Sequence, residues 1–478
     1  MKSPAPRLLD RYEAHASAAV FEREKLAKCN WGWYMEAVRG ISGLHCMAFC
    51  GLAEIVITML EMERWSLNGQ DSWGHSPLMR AIEYKKSGIV ELFLKQEVIA
   101  PDMFARGGRI ALSFIAGLGN GIVVKPPQER GDVNPNSTDC DRQTPLSFAA
   151  QGGHEGVVRL LLEPGDADPD LSDDNGRTPL SFAAEWGHKS ISKVLLNRWD
   201  INPNSANFNG QTPLSFAAEK GHEDVLKLLL ARKDVSPNSP DGNGRAPLSF
   251  AAEEGREGVV KLLLEQGDVD PNSQNKDGRT PLSFAAEWRR EDLEKLLLER
   301  GDVNPDLPDK NRRAPPSCAA ISRAWGVVKL LLARPDVNPN SLNSNDPSPL
   351  LYATTSGVWD VVKLLLESAD VNPNSADRDG RTPLSFTAAW GVESIVKLLL
   401  EHMDIDPNSP DRNGRTPLSF AGKWGQEHIV KLLLERGDVD LASLDTYGRR
   451  PLSYAIMYGR EGVARQLWGL QNRHLPII

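Results

Sequence analysis

The apolar positions of this chain of 478 residues return with a period of 34. The phrase Thr-Pro-Leu-Ser-Phe begins at Thr144, Thr178, Thr212, Thr280, Thr382 and Thr416, and every interval is a multiple of 34 residues. Each copy carries two stretches at helical spacing with a polar break between them. In the last complete copy the first stretch holds Leu418, Phe420 and Ala421 and closes at Gly425. The second holds Ile429, Val430, Leu432, Leu433 and Leu434, an apolar stripe wide enough to bury one face of a helix. Leu432 is taken as a core position. Thr is placed to cap the first helix, and Pro follows in the first turn, where its missing N–H would have no helical partner. Gly425 suits a left-handed helix end, and Gly414 a turn that needs positive φ. The pattern predicts a turn, a short helix, a loop and a longer helix in each unit.

The register extends to Ser42, Ser76, Ile110, Ala246, Ala314, Ser348 and Arg450, giving about 13 units from roughly residue 36 to 470. Self-similarity at this period marks a stacked array in which each unit buries its apolar face only against its neighbours. The unit resembles the ankyrin repeat, whose signature is Thr-Pro-Leu-His-x-Ala, then Gly-His and an apolar helix. Leu146, Ala149, Ala150, Gly153, His154, Val157, Val158, Leu160 and Leu161 stand where that pattern wants them. The resemblance implies an all-α ankyrin repeat solenoid with short turn or hairpin fingers, read as one elongated domain. Residues 1–35 are expected to form a helical lead-in or cap, and 471–478 a tail. Three departures stand out. The unit is one residue longer than usual, in its Asp-Pro-Asn-Ser connection. Phe follows the signature position almost throughout. Ser replaces the signature His in most copies, though His45 keeps it, which puts the family's Thr–His hydrogen bond in question.

Composition changes this picture little. The chain is 25% charged and 40% hydrophobic, with a net charge of −9. No Lys/Arg block stands out, so no direct nucleic-acid binding is expected. No apolar run reaches the length of a membrane span and no signal-peptide core opens the sequence, so neither membrane nor secretion is expected. The cysteines (Cys29, Cys46, Cys50, Cys140, Cys318) lack framework spacing, as suits a reducing compartment. The expected location is intracellular, nucleus or cytoplasm undecided, and the expected state is monomeric.

Features that suggest chemistry dissolve in the repeat. His154, His188 and His222 occupy one position, filled elsewhere by Arg256, Val392 and Gln426, and are read as packing residues. His45, Cys46 and Cys50 lack the second ligand pair of a zinc site. Asp377-Arg378-Asp379-Gly380 lacks the Glu that closes a calcium loop. No catalytic residue, metal ligand or cofactor is assigned, and the chain is not expected to be an enzyme.

The units differ on their surface. In ankyrin proteins, partner contacts usually come from turn tips and exposed first-helix residues on the concave side. By position these are the residue before the Thr and those seven and eight after it. The first holds Arg177, Arg245, Arg279, Arg313, Arg381, Arg415 and Arg449; the last holds Tyr84, Trp186, Trp288, Trp390, Trp424 and Tyr458. Glu185, Glu219, Glu253 and Glu287 lie between. Trp, Tyr and Arg are the residues most enriched at binding hot spots. The candidate partner-binding set is Arg381, Trp390, Arg415, Trp424, Arg449 and Tyr458, with Arg177, Trp186 and Trp288. The other reading leaves them as this repeat's own consensus, solvated or stacked within the chain. The series Phe148, Phe182, Phe216 and onward is read as core.

Two units break the pattern. Lys125-Pro126-Pro127-Gln128 interrupts a second helix. In the Ala314 unit, Arg312, Pro316 and Arg323 replace Gly, Leu and Gly. Each is read either as a bend or as a drifting repeat held by its neighbours. Residues 30–38, with Gly43-Leu44-His45 and Glu61-Met62-Glu63-Arg64-Trp65, look similar to the start of ankyrin arrays in fungal NACHT-type receptor proteins. With no nucleotide-binding domain before them, the chain reads as a stand-alone relative or a shortened gene product. The functional expectation is a scaffold or regulatory adaptor binding one or more proteins, and a transcriptional coregulator is its first specific form. A receptor-like recognition module and a substrate-docking accessory to an enzyme are the alternatives.

Overall fold

In a computed structural model of the chain, the structure describes residues 43–61, 66–71, 73–96, 111–119, 134–163, 165–341 and 348–471. The predicted lead-in, the Pro126-Pro127 break and most of the tail lie outside them. The described residues hold 25 helices and no strand. Apart from Ala111–Leu118, the helices come in pairs, such as Pro145–Gln151 with Glu155–Leu162 and Pro417–Trp424 with Glu427–Glu435. The chain divides into two compact units, Met1–Ser236 and Pro237–Ile478.

The start of each first helix follows from its first four residues. Thr416 lies in extended backbone with its hydroxyl accepting the Ser419 N–H, and Pro417 occupies the first turn. The Ser that replaces the signature His closes this cap. In the six Thr-Pro-Leu-Ser copies the Thr and Ser hydroxyls lie 3.1–3.3 Å apart. Two repeats show what the Thr contributes. Where Ala246 and Ala314 take its place there is no side-chain cap, and the Ser249 and Ser317 hydroxyls, buried, have no hydrogen-bond partner among the described residues.

Packing sorts the apolar stripe more finely than the sequence does. In the Thr416 repeat Leu418, Phe420, Ala421, Ile429, Val430 and Leu433 are buried. Leu432 and Leu434 are only half-buried, so Leu433 and not Leu432 is the full core position of that helix. At 3.6 residues per turn, Ile429, Val430 and Leu433 share one face and the other two flank it. The phenylalanine series is interior: Phe182 is wholly buried and Phe148, Phe216, Phe250, Phe284 and Phe420 nearly so, while Phe386 is half-buried.

The extra connection residue coincides with a side-chain ladder. In the first unit the Asn204 amide donates to the Asp234 carbonyl at 2.6 Å, and its oxygen accepts the Ser236 N–H at 2.8 Å. Asn238, Asn272, Asn340, Asn374 and Asn408 repeat this pair of bonds along the second unit. Asp170 and Asp306 fill two of these slots without the amide donor, and burial raises their carboxyls above the ordinary range. A second clasp comes from the arginine after the second helix. Arg334 grips Asp336 through Nε at 2.8 Å and donates Nη1 to the Leu298 carbonyl of the preceding repeat at 2.8 Å. Turn tips are joined by single backbone bonds, such as Arg412 N–H to the Asp379 oxygen at 2.7 Å.

The Ala314 repeat keeps both helices, Pro315–Ile321 and Trp325–Leu332, with Pro316 and Cys318 buried where other repeats bury Leu and Phe. Arg312 and Arg323 hold φ of 57° and 60°, the left-handed conformation that glycine adopts at these positions in regular repeats.

Candidate functional site

The first helix of each regular repeat ends seven or eight residues after its cap, and the residue eight after the cap stands in solvent. Trp390 and Trp424 are the final residues of their helices, and Tyr458 follows immediately after its own. Their exposures are 52%, 52% and 46%. Trp288 in the same unit and Trp186 in the first unit are similarly open. The Lys423 ammonium stands 5.4 Å from the Trp424 ring centre and 5.3 Å from that of Tyr458, so these two rings are neighbours across one cation. Trp390 leans on Phe386 at 5.5 Å. Tyr84 is different: its ring packs edge-on against Phe49 at 4.1 Å.

The arginines before the cap are built into the turn. Asp411 accepts the Asn413 and Arg415 N–H groups on one carboxylate oxygen and Arg415 Nε at 2.8 Å on the other. The same guanidinium lies over the Phe420 ring at 4.8 Å. Arg381 repeats this with Asp377 at 2.9 Å and Phe386 at 4.6 Å. Arg449 repeats it with Asp445 at 2.7 Å and the Tyr454 ring at 4.8 Å. Burial alone would raise Asp445, but hydrogen bonds from the Tyr454 hydroxyl and from Arg449 outweigh it and hold the carboxyl at about 2. In the first unit Arg177 makes the same turn with Asp173 and lies over Phe182 at 4.4 Å.

What differs along the second unit is the other edge of the guanidinium. Arg245 Nη1 meets Glu253 at 3.1 Å and Arg279 Nη1 meets Glu287 at 2.8 Å, both glutamates seven residues after the cap. The equivalent residues later are Ala389, Lys423 and Met457. Nη1 of Arg381, Arg415 and Arg449 makes no hydrogen bond or ion pair among the described residues.

The histidines hold neighbouring repeats together. Nε2 of His154, His188 and His222 donates to the carbonyls of Gly117, Gln151 and Glu185 at 3.0–3.1 Å. Gln426 does the same to Ala389 at 3.1 Å. Among the described residues no group of three His, Cys, Asp or Glu side chains is placed to hold a metal ion.

Three features escaped the sequence reading. Trp325 and Trp359 are exposed at the start of second helices where most units have Glu, each beneath a lysine ammonium at 5.2 Å. That break in a charged column was the available signal. Trp199 and Phe208 in the first unit are almost fully exposed, in the connection and at a turn tip. Glu294 is wholly buried in Glu291–Glu299, where other repeats hold mostly Val or Leu, and neither carboxylate oxygen has a hydrogen-bond partner among the described residues. Burial first, and the Glu291 charge second, push its carboxyl well above the usual range.

A family model described as ankyrin repeats (3 copies) matches residues 112–207, 199–275, 217–309, 266–341, 317–411 and 401–473. The chain belongs to the ankyrin-repeat family. Its repeats form an all-α solenoid, and repeats of this family are protein-binding modules, generally without enzymatic activity. No curated relative matches the chain. No helix among the described residues is long and apolar enough to cross a membrane.

Proposed function

We propose that this ankyrin array is a non-enzymatic regulatory adaptor that works inside the cell as a monomer. It captures protein partners on the first-helix face of its last three repeats, and a transcriptional coregulator acting through protein partners is its specific form. The observation that carries the reading is the row Trp390, Trp424 and Tyr458. Three large rings stand about half exposed at one register position of consecutive repeats while the helices beneath them are intact. Rings held by a rigid scaffold lose little conformational freedom on binding, which is why aromatic anchors dominate interface energetics. Arg381, Arg415 and Arg449 flank the row. Trp186, Arg177 and Trp288 are the corresponding groups of earlier repeats.

The test is affinity capture from native lysate with the wild-type chain and with Trp390, Trp424 and Tyr458 all changed to Ser, read by mass spectrometry. The expected result is a partner set lost only from the variant, and association of that set with a DNA-binding factor supports the coregulator form. Identical capture lists overturn the assignment of this face.

A further inference from the structure

Resting on that proposal and refining it, we infer that the last three repeats bind an acidic peptide segment, whose carboxylates take the place that Glu253 and Glu287 occupy in the Ala246 and Thr280 repeats. Each early repeat is its own model complex. Its guanidinium stacks on a phenylalanine and turns Nη1 toward a carboxylate on the last turn of the same helix, and in the Ala246 repeat Asp241 also fixes it in the turn. The Thr382, Thr416 and Arg450 repeats keep the guanidinium in place and its stacked ring, but put Ala389, Lys423 and Met457 where the carboxylate stood. Three oriented donor edges therefore stand open at the spacing of the repeats, in the same three repeats that carry Trp390, Trp424 and Tyr458. Lys423 adds a cation between two of the rings. A guanidinium whose geometry is already set loses little freedom on pairing, and carboxylate is the planar acceptor it fits best.

The spacing also defines the ligand. Neighbouring packed helices lie roughly 8–10 Å apart. An extended chain advances about 3.3 Å per residue, so an acidic side chain about every third residue matches successive arginines. Apolar side chains between them meet the aromatic rings. Single-stranded nucleic acid also pairs anions with stackable faces. The carboxylates already seated in the early repeats favour the peptide.

The experiment installs two of the missing carboxylates and leaves every arginine and aromatic ring untouched. Random 15-residue peptides displayed on phage are selected on the full chain, and the binders are measured against two variants. One carries Ala389→Glu and Met457→Glu; the other carries Gln at the same two positions, and Lys423 is kept in both. Selected peptides should be rich in Asp and Glu interleaved with apolar residues. Their affinity should fall roughly fivefold in the Glu variant, the combined effect of two exposed ion pairs, and hold within about twofold in the Gln variant. Binding should weaken with added salt. The reciprocal variant, Glu253→Gln with Glu287→Gln, should gain acidic-peptide binding at Arg245 and Arg279.

Peptides without acidic bias, equal losses in the Gln and Glu variants, or no selected peptide would each overturn the inference. So would displacement of a selected peptide by a mixed-sequence single-stranded 15-mer of DNA at comparable concentration, which would turn the site toward nucleic acid. If binding is lost on changing Trp390, Trp424 and Tyr458 to Ser but ignores the Glu variant, the aromatic face stands and only the acidic ligand fails. If the Ser variant binds as well as wild type, the face itself is wrong.

Discussion

Two regions of the second unit depart from the ankyrin pattern in opposite ways. The Thr280 and Ala314 repeats break it on the inside. Glu294 is a buried, unpartnered carboxyl, Ala314 leaves its helix uncapped with Ser317 orphaned, and Arg289, Arg312 and Arg323 hold left-handed backbone. The Thr382 and Thr416 repeats obey the interior rules. Both are capped by Thr, both first helices end on glycine with φ of 74° and 72°, and both connections carry the Asn clasp. Their departures lie on the surface, in exposed rings and in arginines without their glutamates. A solenoid tolerates interior faults where each neighbour supplies half the packing. Surface faults that leave stability intact are where selection for binding would act, since they cost the fold little.

The largest effect expected within this comparison is at the core of the regular region. Leu433→Ala should cost about 2–5 kcal/mol in denaturant unfolding, whereas Leu432→Ala, at a half-buried position, should cost clearly less. Equal losses would mean the two positions are packed alike. At the faulted region the sign reverses. Glu294→Val should stabilise by at least about 1–3 kcal/mol at neutral pH, because it removes a buried group with no hydrogen-bond partner. The folded carboxyl titrates above its ordinary 4.5, so its protonated form is favoured by folding. The part of the stability that Glu294 governs is therefore fully present below that unfolded value and is lost as pH rises through the folded one. The advantage of Glu294→Val should shrink as pH is lowered from 7 toward 4.5 in paired unfolding curves. A constant advantage across that range would mean that Glu294 is paired in the folded chain.

Periodicity made the fold legible because cap, turn glycine and apolar stripe are local rules that each residue obeys in its own unit. Thr416, Pro417, Gly425 and Ile429 could be placed from the sequence for this reason. Pairings across repeats were not legible, since nothing in a single unit shows that Asn204 meets residues 234 and 236 or that His188 meets Gln151. The site was half legible. The register located Trp390 and Arg415, but the feature that separates Arg415 from Arg279 is which edge of the guanidinium is occupied. That depends on the side chain eight residues later lying on the same turn of space. Trp325 and Trp359 stand in another column, eleven after the cap position where most units open the second helix with Glu, so the register that located Trp390 does not reach them.

A smaller pair of changes exchanges a single feature between the two regions. Ala314→Thr should supply the missing cap and a partner for the Ser317 hydroxyl, stabilising by about 1 kcal/mol. Thr416→Ala should remove the bond to the Ser419 N–H and cost about the same. Opposite shifts of similar size, measured by thermal unfolding of both variants, would show that the cap is one interchangeable part. A neutral Ala314→Thr would mean that Pro316 or Arg312 holds the helix end in a geometry the hydroxyl cannot reach.

The smallest stability effect is expected where the functional effect is largest. Changing Trp390, Trp424 and Tyr458 together to Ser should shift unfolding by no more than about 0.5 kcal/mol per site, the range of ordinary surface substitutions. The three are not equivalent. Trp390 leans on the Phe386 ring at 5.5 Å and Phe386 is itself half-buried, so its removal should be the costliest. For Trp424 and Tyr458 the ring contact is with the Lys423 ammonium, which water replaces at little loss. The single variants, compared by calorimetry, should therefore rank Trp390→Ser as most destabilising and the other two near neutral. A collapse of the transition in either of the latter would place those rings in the core, and the contrast between interior faults and surface faults would no longer divide the two regions.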